Sequence, residues 1–279
     1  MSFLKDRDVM LVTMHQKEIV IKPLLEEQLG CRLHVNQFDT DQFGTFTREI
    51  GRQDSQLETA RKKANMVIEL SNLHVGIASE GTFGFHPLAP IPWNTELVLL
   101  KDYERNIELQ GYYEGIDTNF NHTVVQNYSS ALQFVNEVGF PDHHVILRPD
   151  DEHSSVILKN IADESSLQEA FTYCLNKSTN RQVFIETDMR AYANPTRMKN
   201  IEMATRKLIE QANSLCPKCE TPGFRVVRKV PGRLCEQCHS PTKQIVRHIH
   251  ACSTCHYQLT EYLDPDVYAS PAYCDFCNP

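Results

Sequence analysis

Cys216-Pro217-Lys218-Cys219, Cys235-Glu236-Gln237-Cys238, Cys252-Ser253-Thr254-Cys255 and Cys274-Asp275-Phe276-Cys277 repeat one CxxC spacing four times near the end of the chain. They take eight of its ten cysteines. A CxxC turn aims two thiolates at one point about 2.3 Å away, and a second such turn completes a tetrahedron. Two four-cysteine zinc sites are therefore predicted, with iron as the main competitor because a rubredoxin-like knuckle also holds it. The gaps of 15, 13 and 18 residues leave room for a hairpin between knuckles, with turn signals at Pro222-Gly223 and Pro231-Gly232 and strand signals at Ile245, Val246 and Ile249. Sequential pairing, first knuckle with second and third with fourth, is the expected arrangement; an interleaved cross-brace is the alternative. His239, His250 and His256 stand beside knuckles, but with the thiolate count complete they are expected to be surface or supporting groups. A tail this short cannot bury enough apolar surface to fold alone, so metal is expected to supply the difference.

Working outward, the whole chain has 279 residues and a net charge of −8. Residues 213–279 hold seven Lys and Arg against six Asp and Glu. Two zinc ions, each bound by four thiolates, leave −2 apiece, which turns the tail from +1 to about −3. So acidic a chain is a poor general nucleic-acid binder, although Arg225, Arg228, Lys229 and Arg233 follow one another with no acid between. No apolar run is long enough to span a bilayer. The start MSFLKDRDVMLVTMHQKE lacks the pattern of a signal peptide. A cytoplasmic setting, with no membrane partner, is the expectation, and reduced thiols there read as metal ligands.

The body before the tail alternates strand-like and helix-like segments, which predicts an α/β fold with a mixed sheet flanked by helices. The predicted division is an α/β domain over 1–213, with a phosphate or nucleotide cleft, and a double zinc-ribbon module over 214–279. Strands are expected at 8–13 (DVMLVT), 31–38, 74–79 (ending at Glu80-Gly81), 145–147 and 182–185, with a hairpin from 95–101 and 106–111. Helices are expected within 17–29, where Pro23 marks a kink or a first turn, and at 55–72, 128–138, 164–175 and 195–213. Ser55 and Glu58 form an S-x-x-E capping box; Asn194 and Pro195 suit an N-cap and first helical position.

Four polar clusters follow strands. Thr13-Met14-His15-Gln16-Lys17-Glu18 places a lysine at a strand-to-helix turn, where anions meet backbone N–H groups. Asp39 to Glu49, with Asp41, Arg48 and then Arg52, mixes carboxylates, hydroxyls and arginines in the manner of a Mg²⁺ and phosphate site. Ser79-Glu80-Gly81 puts an acid on a buried strand, beside a glycine that lets a ligand approach the backbone. Glu186-Thr187-Asp188-Met189-Arg190, then Arg197, offers two bidentate phosphate grips. In open α/β sheets ligands collect at the carboxyl ends of strands, so the four clusters are expected to share a crevice. Cys31 and Cys174 read as small core residues. No G-x-S-x-G, Walker or dinucleotide motif occurs.

Two resemblances add to this reading. VTMHQKEIVIKPLL, FDTDQFGTFTREIGR, ASEGTFGFHP, ETDMRAYANPTRM and the terminal CDFCNP resemble an uncharacterised bacterial family with a domain of unknown function and a cysteine-rich tail. Residues 8–120 are also similar in order to the inosine/xanthosine triphosphate pyrophosphatases. The similar features are Thr13 to Lys17, Glu58 with Ala60-Arg61-Lys62-Lys63-Ala64, Glu80-Gly81, and the hairpin of Thr95–Gly111. The first turn is one residue shorter than that family's and has Met14 and His15 where its Asn would stand. What the resemblance implies is Mg²⁺-assisted attack of water on a nucleotide or other phosphorylated small molecule. Glu80 with Glu58, Glu49 or Asp41 would hold metal and act catalytically. Lys17, Arg190 and Arg197, with Thr13, His15, Arg52, Ser79, Gly81 and Asp188 around them, would hold the phosphate. A non-catalytic protein whose zinc module meets nucleic acid or a protein partner is the alternative expectation.

Overall fold

The computed structural model describes residues 2–36, 54–86, 88–264 and 266–279, and the chain divides into two units, Phe3–Ile209 and Glu210–Pro279. It is a mixed α/β protein. The first unit opens with β1 (Asp8–Val12), α1 (Glu18–Leu29), β2 (Arg32–Asn36), α2 (Gln56–Leu70), β3 (Val75–Phe85), β4 (Pro92–Asp102) and β5 (Ile107–Gly115). These strands form a sheet in the order β2-β1-β3-β4-β5. β1 runs parallel to β2 and β3, while β3, β4 and β5 are antiparallel neighbours. Gly30 ends α1 in the left-handed conformation, φ 67°, which costs glycine nothing. Pro23 lies inside α1. Ser55 caps α2 by accepting from the Glu58 N–H at 3.2 Å. Only half of the expected capping box forms, because the Glu58 carboxylate turns to Arg61.

Side chains alternate across a strand, so the two faces of this sheet can be read off its register. Ala78 and its cross-strand neighbour Leu99 pack with Ala60 and Ala64 of α2. Ser79, Val98 and Gly111 stand in line on the opposite face, which is covered by α5 (Pro195–Asn213). The fit is tight there: a Cβ on Gly111 would lie 2.1 Å from the Ala204 carbonyl oxygen and 2.4 Å from the Leu208 nitrogen. Backbone cannot yield as a side chain does, so Gly111→Ala is expected to destabilise this unit by about 2–3 kcal/mol, measured by denaturant unfolding; a change below about 0.5 kcal/mol would show that α5 is not seated on β5.

A second sheet, wholly antiparallel, follows in the same unit. Its strands are β6 (His122–Val125), β7 (Val145–Pro149), β8 (Leu158–Ile161) and β9 (Val183–Thr187), in the order β6-β9-β7-β8. α3 (Tyr128–Glu137) and α4 (Glu164–Lys177) share a core with it that includes Val125, Phe134, Val145, Leu147, Leu167, Phe171, Val183 and Ile185. Cys174 lies in that core and Cys31 is buried as well. Burial raises their thiols to about 12 and about 11, as inert core residues require.

One strand differs from expectation in a way that matters. β3 does not stop at Ser79 but continues to Phe85, paired with β4 without interruption from Val75↔Asp102 to Phe85↔Pro92. Gly81 and Gly84 do not end the strand because the antiparallel ladder bonds backbone to backbone. Glu80 is therefore mid-strand. Among the described residues no helix is long and apolar enough to cross a membrane.

In the second unit β10 (Arg225–Pro231), β11 (Ile245–Ala251) and β12 (Gln258–Tyr262) form an antiparallel sheet in sequence order.

Candidate functional site

β3 pairs with β1 at Gly76 and Ile77. The turn after β1 reaches β3 through Lys17. Thr13, the first residue after β1, and Ser79 on β3 are both buried. Lys17, buried, donates from Nζ to the Ser79 carbonyl at 2.8 Å. On the α2 face, Lys63 forms an ion pair with Glu80, both buried. On the α5 face, Arg197 Nε bonds Glu96 Oε1 at 2.8 Å, with Glu96 fully buried. The Arg197 guanidinium also donates to the Met189 carbonyl and lies 4.9 Å from the Phe83 ring centre. Asn194 sets up this grip by capping α5: its Oδ1 accepts from the Arg197 N–H at 2.9 Å. Asp188, buried, pairs with Arg190, whose guanidinium also reaches Asn160 at 2.8 Å and stacks 5.0 Å from the Tyr192 ring. His15 lies 6.0 Å from that ring.

The electrostatics follow from this crowding. Burial, then the charges of Lys17, Arg197, Arg190 and Lys63, push the His15 imidazole down to about 3, so it is neutral at pH 7. Burial, then Arg197, lowers the Lys17 ammonium to about 7, against the opposing pull of Glu80. Burial raises the Glu96 carboxyl, partly offset by Arg197 and Lys17. Among the described residues Lys17, with three donors, has one hydrogen-bond acceptor, and the buried Thr13 Oγ1, Ser79 Oγ and Glu96 Oε2 have no hydrogen-bond partner.

Three of the four polar clusters thus meet. Thr13, His15 and Lys17 come together with Ser79, Glu80 and Gly81, and with Asp188, Arg190 and Arg197. Asp41, Glu49 and Arg52 lie outside the described residues. Glu58 is not part of the set: it sits on the outer side of α2 with Arg61, which also bonds Glu108 at 2.7 Å. Gly81 accommodates an internal pair and not a ligand, since a Cβ there would lie 2.6 Å from Arg197 and 2.7 Å from Glu96. Lys63 and Glu96 belong to the set and were not singled out from sequence. A charge directly before the apolar run Leu97-Val98-Leu99-Leu100 on β4 was the available signal for Glu96.

In the second unit the eight thiols gather as Cys216, Cys219, Cys252 and Cys255, and as Cys235, Cys238, Cys274 and Cys277. This is the interleaved arrangement, which corrects the sequential pairing. The strands dictate it. β10 and β11 are antiparallel, with Arg225 opposite Ala251 and Pro231 opposite Ile245. The knuckle before β10 therefore meets the knuckle after β11, and the knuckle between the strands lies at their other end. Sequential pairing would have to close a gap of roughly 20 Å along β10.

Each cluster fits one tetrahedral ion. Bonds of about 2.3 Å require S···S edges near 3.8 Å; Cys216–Cys255, Cys219–Cys252 and Cys238–Cys274 are 3.6 Å apart and Cys235–Cys277 3.9 Å. The four knuckles are built alike. The N–H of the residue after each second cysteine bonds the carbonyl of the first: Glu220 to Cys216, His239 to Cys235, His256 to Cys252 and Asn278 to Cys274, at 2.8–3.2 Å. Glu220, His239 and His256 are left-handed, φ 57–58°, where glycine would be cheaper. The Thr221 hydroxyl and N–H lower the Cys219 thiol to about 6, and Ser240 does the same for Cys238; against the Tyr257 N–H, burial and the neighbouring thiols raise Cys255 to about 12, and Cys238 with burial raises Cys277 likewise. His239 and His256 are not in either ligand set. Of the four grouped cations, Arg225, Arg228 and Lys229 are exposed on the edge strand β10, where charge discourages edge-to-edge pairing. Arg233 is not part of that surface: it is buried and donates to the carbonyls of Leu263, Asp264 and Val267 at 2.7–2.9 Å.

Fold and site define a mixed α/β protein with a buried charge cluster, joined in one chain to a cysteine cross-brace that fits two zinc ions. The chain belongs to the family described as a domain of unknown function (DUF6671), whose model matches residues 63–279. Neither the curated proteins nor the solved structures compared with it give a match.

Proposed function

We propose that the α/β unit binds a nucleotide or another phosphorylated small molecule, phosphate first, where the carboxyl end of β1 faces the middle of β3, and acts on it by phosphate hydrolysis. The observation that carries this reading is Lys17, a buried ammonium with a single carbonyl acceptor, that of Ser79, among the described residues; the buried hydroxyls of Thr13 and Ser79 likewise have no hydrogen-bond partner among them. Around it, Lys17, Lys63, Arg190 and Arg197 face three acids, Glu80, Glu96 and Asp188, so the described set carries one positive charge in excess. An anion there would satisfy Lys17 and both hydroxyls. His15 and Arg190, half-buried, would meet it first. Fixed cations in a dry site also stabilise charge on a phosphoryl group in transfer.

For Mg²⁺ the described residues supply no ligand set, and Asp41 and Glu49 lie outside them. Among the described residues no three His, Cys, Asp or Glu ligand atoms gather in the first unit, and Glu80, Glu96 and Asp188 each already face a base. Among the described residues the proposed chemistry is carried by Lys17, Arg190 and Arg197. In the second unit the ions are proposed to be zinc, held for structure, since a closed set of four sulfurs leaves no position for substrate.

Hydrolysis of a panel of nucleoside mono-, di- and triphosphates tests the reading. Turnover that disappears in Lys17→Met supports it; no turnover and no binding of any phosphorylated compound overturns it. The same variant has a second expected effect. Keeping an ammonium whose pKa falls from 10.5 to about 7 costs on the order of 3–5 kcal/mol when it is charged. The folded chain sheds this proton before the unfolded chain does. Stability should thus rise from about pH 7 towards 10.5, the penalty being complete below that range. Lys17→Met should be the more stable protein at pH 6 and should lose most of that pH dependence. Anion affinity should fall as pH rises through 7 to 9, when Lys17 loses its charge.

A further inference from the structure

Apart from the two thiolate clusters, one further set of metal-ligating groups gathers among the described residues: His248 and His250 on β11 with Glu261 on β12. The strand period explains why they meet. His248 and His250 are two residues apart and so project from the same face. Glu261 is the cross-strand partner of His248. Its Oε2 lies 2.9 Å from His250 Nε2 and 3.8 Å from His248 Nδ1. Tetrahedral zinc with nitrogen and oxygen ligands near 2.0–2.1 Å requires ligand edges of about 3.3 Å, which these two distances bracket. Phe224 stacks on His250 with centres 5.6 Å apart and planes 23° from parallel, which fixes the ring's orientation. Lys229 stands opposite His248 on β10 but is exposed, so its ammonium is free to point into solvent.

We propose that this triad is a third metal site, separate from the cross-brace and different in kind. It offers two imidazoles and a carboxylate to a divalent transition-metal cation such as Zn²⁺, and leaves a position open to water or an added ligand. The thiolate clusters are closed and partly buried. The triad is on the surface, with side-chain exposures of 23% for each histidine and 53% for the glutamate. Its ion should therefore exchange readily where the other two do not.

Co²⁺ titration of the metal-free full chain separates the sites, because thiolate-bound cobalt gives intense charge-transfer absorption and cobalt bound by nitrogen and oxygen does not. The expected result is three equivalents taken up, with the charge-transfer bands complete after two. Glu261→Gln and His248→Ala should weaken the third equivalent by more than the ~10–100-fold typical of losing a supporting group, while the first two equivalents and their absorption are unchanged. Glu261→Gln removes an exposed carboxylate, so it tests the site without endangering the fold. Uptake that stops at two equivalents in the wild type, or a third equivalent that persists in both variants, overturns the proposal and leaves the triad as a histidine–carboxylate surface pair.

Discussion

Serine at both Cys235 and Cys274 is expected to leave one thiolate-bound zinc per chain, not none, besides any exchangeable ion at His248, His250 and Glu261. The two residues belong to the same cluster in the cross-brace, so the double change destroys one site and spares the other. Under sequential pairing each would fall in a different site and both would be damaged. Metal content by mass spectrometry of the intact protein reads the answer directly. Full chelation should have the larger thermodynamic effect. The apolar side chains buried among the described residues of Glu210–Pro279 are, apart from cysteines, Ala212, Pro222, Phe224, Ile249 and Ala269. Such a core cannot offset chain entropy, whereas structural zinc contributes roughly 10–16 kcal/mol of apparent free energy per site near pH 7. Metal-free protein should therefore lose the protection of β10–β12 amides against hydrogen exchange and regain it on adding Zn²⁺. Protection that survives chelation would mean the fold of this unit does not depend on metal.

Glu96→Gln is expected to destabilise the first unit by about 3–5 kcal/mol at pH 7. Glu96 is fully buried and Arg197 nearly so, and the substitution leaves a guanidinium that cannot release its proton. Arg197→Met should behave differently. It leaves Glu96, whose carboxyl burial already pushes upward, and that group can take a proton. The Arg197→Met defect should therefore shrink as the pH is lowered from 7 to 5, while the Glu96→Gln defect should not. Urea unfolding at the two pH values tests both statements. Losses within about 0.5 kcal/mol, as at ordinary surface positions, would remove the Glu96–Arg197 pair from any structural role.

What was legible in the sequence divides along the range of the interactions. All eight cysteines of the two clusters follow from a three-residue spacing. Their pairing does not, because it depends on which ends of β10 and β11 lie together. The long helices were legible from apolar period and caps, α5 most of all, with Asn194 and Pro195 marking its start. β6 and β8, four residues each, carry too few positions to show a period. Lys17, Ser79, Glu80, Arg190 and Arg197 stood out as polar residues at expected strand ends. Lys63 did not, since a lysine in an Arg61-Lys62-Lys63 run reads as a solvated helix face until Glu80 is placed beneath it. Glu80 itself was legible as an acid on a buried strand, but its position within that strand was not, because the Glu80-Gly81 step at which the strand was expected to end is paired with β4.

Isothermal titration of the full chain with a nucleoside triphosphate and with inorganic pyrophosphate, at pH 6 and pH 9, tests the anion-receiving cleft most directly. Binding is expected at pH 6, weaker by tenfold or more at pH 9 as Lys17 deprotonates, and absent in Lys17→Met at both. Equal affinity of the wild type and Lys17→Met, or no heat with either compound at either pH, would contradict it.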